Sequence, residues 1–389
     1  AALTTNQIKA LATNQVVALT TTQIAGLTTG QIGSLSTSLL VAMETADIAA
    51  LSTAAITALT TGQMASLTTD QLVALGTKQV AALTSAQVSA ISGANLAKME
   101  TADIAALTTA AIAALKTAQV SSLTTDQVVA LTTAQIFGLT TSQISALSTS
   151  QLAAMETADF AALSTAQITA LTTNQIRALT TNQVVALTTA QASKLSSAQL
   201  VSMTTQQIAA MESVDLVSLT TAQVSSMTSA QIAALTTYQI SKLLTAQISA
   251  LSTQAIAAIE TDDIAALTTA QVAAMTTNQI KALATNQVVA LTTAQTASLK
   301  TAQLLAFSTN QLRALETTDF AALTTAQLVV LLTSQISSLS TAHIAAITTS
   351  QISSLSTNQL TAFTSSQINA LSTAQISAMT SAQKKIIGY

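Results

Sequence analysis

The sequence has no cysteine, no proline and no tryptophan, and only one histidine and eight glycines in 389 residues. With one imidazole, no thiol and few carboxylates, little material remains for acid–base, nucleophilic or transition-metal chemistry. Charged residues make up 7% and aromatic residues 2%, against about 25% charged in an ordinary soluble domain. The net charge is −3, so the basic footprint of a nucleic-acid binder is missing. Mean hydropathy is +0.54, yet the longest apolar run outside Ala-containing stretches is Leu328–Leu332. A membrane-spanning helix needs about 20 such residues, so no span is expected. No signal-peptide pattern opens at Ala1, and any targeting segment is expected to have been removed or to precede it.

What is present is a repeat. From Leu3 to Ile386 the chain divides without insertion into 48 octads, LTTNQIKA, LATNQVVA, LTTTQIAG and onward. Position one is Leu, Met, Ile or Phe throughout. Position six is apolar except at Thr296 and Lys384, and position three is Thr or Ser in 47 octads, the exception being Gly93. Position five is Gln in 36 octads, and position eight is mostly Ala, Ser or Gly. Positions two, four and seven accept Lys116, Tyr238, Lys9, Phe137, Arg177 and Asn369. Positions one and six are therefore the core, and two, four and seven face water.

A longer period overlies the octad. METADIAA at 43 and 99, METADFAA at 155, MESVDLVS at 211, IETDDIAA at 259 and LETTDFAA at 315 carry Glu at position two and Asp at five. They stand 56 residues apart, except for one interval of 48. The chain reads as one solenoid over 3–386, built from duplicated 56-residue blocks, with a tail at 387–389.

A strand would send positions one and six to opposite faces, and the recurring Ala-Ala-Leu and Gln favour helix. One continuous helix fails too, because eight residues at 100° drift by about 80° per octad and no stripe survives. The chain must bend once per octad. We place the N-cap at position three, where the hydroxyl is nearly invariant. Position two with a Thr-x-x-Gln box is the weaker alternative, because Ala12, Lys116, Leu244 and Leu332 there carry no capping oxygen. The expected fold is all-α: a solenoid of helices of about six residues, one per octad. Helices this short survive only by packing. Packing distances of about 8–10 Å suggest four octads per coil, a square tube on the order of 110 Å long.

Gln at position five lies at the edge of the inner face. It is read as solvated or bonded to carbonyls freed at the bends, with a Gln-to-Gln amide ladder as the alternative. The acid pairs Glu44/Asp47, Glu100/Asp103, Glu156/Asp159, Glu212/Asp215, Glu260/Asp263 and Glu316/Asp319 are read as charges favoured at helix N-termini. The competing reading, a periodic calcium site, would need six to eight oxygens where each pair offers two carboxylates. His343 is expected to substitute for Gln, and Phe137 and Tyr238 are too isolated to form a stacking platform. Lys384 and Lys385 mark the end of the repeat or a boundary in a larger protein. No catalytic, cofactor or metal site is expected, and no cofactor.

The octad L-[ST]-[ST]-x-Q-[IV]-x-[AS], as in LTTAQVAA at 267 and LSTAQITA at 163, resembles tandem octapeptide arrays of very large bacterial surface or secreted proteins, often loosely described as adhesin-like or RTX-like. The G-G-x-G-x-D calcium repeat of true RTX proteins is absent here, so that chemistry is not carried over. The resemblance spans residues 3–386 and implies an extracellular or cell-surface structural role. The first octad is as regular as the middle ones, although solenoids normally need capping repeats, and the ends are expected to stack on further octads, another subunit or flanking domains. Weak charge implies little repulsion between neighbouring rods. The expected function is therefore a non-enzymatic filament, stalk or matrix fibre that self-associates end to end and laterally. The alternative is a Thr-faced module that orders water or ice, or contacts a glycan.

Overall fold

The computed structural model describes residues 3–389, and over that span every octad forms one helix, from Thr5–Lys9 to Ser381–Ile387. The helices have four to seven residues, and there is no strand among the described residues. Among the described residues no helix is long and apolar enough to cross a membrane.

The helix begins one residue earlier than the repeat pattern suggests. It runs from position three to seven or eight, or to six in the shortest helices, and the N-cap is position two. Thr124, for example, is extended at φ −74°, ψ 161° and caps the helix Thr125–Val129. The expectation of a cap at position three is corrected here. Position two needs no hydroxyl because Gln at position five supplies the other half of a capping box. Ala12, Lys116, Leu244 and Leu332 each donate their backbone N–H to the Gln Oε1 three residues on, at 2.7–2.9 Å.

The bend that sequence arithmetic demanded uses neither glycine nor proline. Where the helix fills position eight, position one leaves it in an extended conformation, as at Leu35 with φ −59° and ψ 140°, and position two stays extended. Two such residues turn the corner, and the only positive φ among the described residues is at Gly388. Position one also closes the last turn by donating its N–H to position six, as Leu35 does to Ile32 at 3.2 Å.

The helices stack in coils. Each packs against the helix three octads away, as Thr117–Ser122 does on Thr141–Ala146. Side chains bonded between coils are separated by 25 to 31 residues. A coil therefore closes between three and four octads, and the square tube of four is corrected. The reason is the hydrogen bonding of the corners: the Gln side chain reaches the bend 28 to 31 residues back, and that reach overrides the packing estimate.

The core is as patterned. Position six is sealed, with Ile32, Val88 and Ile136 at 0% exposure, and position one nearly so. Burying a side chain of this size contributes about 1.5–3 kcal/mol, which offsets the ordering of helices too short to persist alone. Position eight stays small for a local reason. A Cβ on Gly138 would lie 2.5 Å from the Thr109 methyl, so position three of one coil rests on position eight of the next. The chain forms two compact units, one ending at Leu195 and the other spanning Ser196–Tyr389, and the same coil geometry holds within each. The last helix extends past the octad frame: Ile387, placed in the tail by the repeat count, is helical and buried.

Candidate functional site

The polar chemistry of this molecule is concentrated in one repeated unit, the Gln of position five at the corner of the coil before it. Gln127 shows the whole arrangement. Its Oε1 accepts from the Thr124 N–H at 3.0 Å, while its own N–H donates to the Thr124 hydroxyl at 3.1 Å. Its Nε2 donates to the carbonyls of Leu96 and Met99, both at 2.8 Å. The side chain is 1% exposed. One amide thus caps its own helix and serves two carbonyls freed where the previous coil bends. An unserved buried carbonyl costs about 1–3 kcal/mol, and a coil without glycine or proline has such carbonyls at each corner.

The same contacts recur at Gln63, Gln143, Gln175, Gln231, Gln271 and Gln303. The reading of Gln as a partner for bend carbonyls holds, with a change of address: the carbonyls belong to the preceding coil. Both Gln atoms are occupied by backbone, which removes the chemistry for a Gln-to-Gln ladder.

The substitutes at position five follow the same logic. His343 donates from or accepts at both ring nitrogens: Nε2 lies 2.8 Å from the Leu315 carbonyl, and Nδ1 faces the Ser340 hydroxyl. A carbonyl only accepts, so the Nε2–H tautomer is the one that fits. The ring stands edge-on to Phe320 at 5.2 Å. His343 is a Gln substitute, bonded as a Gln would be.

Asp is one methylene shorter. Asp159 and Asp319 each accept from a Thr hydroxyl 26 residues back, Thr133 and Thr293, at 2.6 Å. Asp47, Asp103, Asp159, Asp263 and Asp319 are all buried. The accompanying Glu44, Glu100, Glu156, Glu212, Glu260 and Glu316 are exposed N-cap residues without a side-chain capping bond. Burial pushes the Asp103 carboxyl above its ordinary value, opposed by the Thr77 hydroxyl and assisted by the nearby Glu100 charge. Among the described residues no group of three His, Cys, Asp or Glu side chains is placed to hold a metal ion.

Both aromatic residues expected at the surface are found there. Phe137 stands exposed, whereas Tyr238, also exposed, has the Lys242 ammonium 5.0 Å from its ring centre. Lys384 ends the run of apolar side chains at position six. Its carbonyl accepts from the Tyr389 N–H across the left-handed Gly388, a stop found at no other helix among the described residues.

No curated protein matches the chain. The ALTTAQ repeat profile matches it in eleven stretches, some of them overlapping: residues 1–37, 40–77, 96–133, 128–155, 152–189, 208–245, 256–293, 296–333, 312–349, 320–357 and 352–384. These cover well over half of the sequence, and the chain belongs to the ALTTAQ repeat family.

Proposed function

We propose that this repeat protein is a structural, non-enzymatic element that forms filaments or fibres outside the cell or at a bacterial surface. The observation that carries the reading is the polarity of the coil interface. The amides that bond between coils donate toward the lower-numbered coil, as Gln127 does to Leu96 and Gln271 to Leu243. One side of a coil offers amide donors and the other offers carbonyls. An interface of that kind is heterologous and does not close on itself, which is the geometry of open assemblies. Coils can be added without altering those already present, a property suited to length and stiffness.

Electron micrographs of the purified protein test this. Thin fibres are the expected result, and isolated compact particles at all concentrations overturn it. The surface setting rests on the resemblance to bacterial surface arrays, and immunogold labelling of intact cells tests it separately. Label confined to the cell interior overturns that part alone.

A further inference from the structure

The one short block in the sequence has a structural consequence. Acid octads seven apart fall on different stacks of helices, because packed helices are three octads apart. The pair MESVDLVS and IETDDIAA stand 48 residues apart, which is two such steps. The helix Ser213–Ser218 therefore packs on Thr237–Lys242, which packs on Thr261–Ala266. Position four of these helices forms a column on the surface of one unit: Val214, Tyr238 and Asp262. Val214 is 58% and Tyr238 63% exposed, and Asp262 is exposed too. Glu212 and Glu260 add negative charge at the ends of the column. Lys242 is held at the Tyr238 ring.

The same unit carries a column of opposite character. The helix Thr277–Ala282 packs on Thr301–Ala306, which packs on Thr325–Leu328. At position seven they present Lys281, Leu305 and, just past the last helix, Val329. All three are exposed. Both columns advance by one coil per residue, so their spacing matches.

We propose that these two columns form a sideways docking surface between two copies of this chain, with the columns antiparallel. Asp262 of one copy then meets Lys281 of the other, Tyr238 meets Leu305, and Val214 meets Val329. Asp262, with Glu260 near it, selects the single cation Lys281, and the Tyr238 ring supplies the apolar contact that charge alone lacks. Other exposed apolar side chains, such as Phe137, Leu244 and Leu332, belong to neither column. This inference does not rest on coil-to-coil stacking. A sideways pair and an end-to-end fibre can each form without the other.

Sedimentation equilibrium of the full chain at low salt tests the pairing, with far-UV circular dichroism to confirm folding. Asp262→Lys and Lys281→Asp alone are each expected to weaken association about tenfold or more, since like charges then face each other. The double variant Asp262→Lys/Lys281→Asp restores it. These positions are exposed, so the helical signal stays unchanged. A wild-type chain that remains monomeric at the highest concentration reached overturns the proposal. So does association that survives both single reversals, or a double variant that fails to recover. Loss of fibres in micrographs with sideways pairing intact would count against the filament reading only.

Discussion

Thr296 sits where the repeat puts Ile, Val or Leu, and its hydroxyl is buried without a hydrogen-bond partner. Thr296→Val keeps the shape and removes the stranded group. Chemical denaturation is expected to show a gain of about 1 kcal/mol, since an unpaired buried hydroxyl costs about that or more. A loss would mean that the hydroxyl has a partner in solution. Asp103 illustrates the cost of replacing the ladder Gln by an acid. Its folded pKa lies above the unfolded value, so the folded state holds the proton more tightly. Its contribution is most favourable below the unfolded pKa and is lost as pH rises through the folded one. Asp103→Asn is therefore expected to flatten this part of the dependence. Melting temperature measured across the acidic range should fall less with rising pH in the variant, and parallel curves would refute the assignment.

At the scale of one helix, capping is divided between two side chains, and the sequence itself records the division. Outside the acid octads, where position two lacks a hydroxyl, at Ala12, Gly76, Lys116, Leu244, Ala284, Lys300 and Leu332, position five is always Gln. Where Gln is absent outside the acid octads, at Leu39, Ala55, Asn95, Ala111, Ala255 and His343, position two is always Ser or Thr. Each octad keeps at least one half of the box; only the acid octads rely on charge at the N-terminus. That compensation was legible and points to position two, but the near-invariance of position three drew the assignment away. Position three is constrained by packing on the next coil. The two halves should differ in weight. Thr124→Ala is expected to cost about 0.5–1 kcal/mol, at the low end for a cap, because Gln127 still accepts from the backbone. Gln127→Leu strands an N–H and two carbonyls and is expected to cost about 2–5 kcal/mol. Urea denaturation of both variants gives the order, and a larger loss for Thr124→Ala would contradict the ladder.

For the whole molecule, stability is distributed along the chain because each coil touches only its neighbours. Excision of one 56-residue block, residues 99–154, joins Lys98 to Met155 with the octad frame intact and puts METADFAA in the place of METADIAA. The shortened chain is expected to keep the same helix signal per residue and to unfold at a slightly lower denaturant concentration. Excision of four residues instead breaks the frame and is expected to lower the helix signal per residue. Equal circular dichroism spectra per residue for the two deletions would refute a frame-dependent coil.

The octad period, the apolar residues at one and six and the absence of strand periodicity by themselves determined an all-helical solenoid, because burial and helix geometry act over a few residues. The same local physics identified His343 as a Gln in another form. The coil count escaped it, as did the identity of the bend that each Gln amide serves. Both depend on carbonyls 28 to 31 residues away, and only the folded coil brings an amide to them. A side chain that satisfies two bends at once sets how far the chain travels before it returns, and that distance is a property of the tertiary structure.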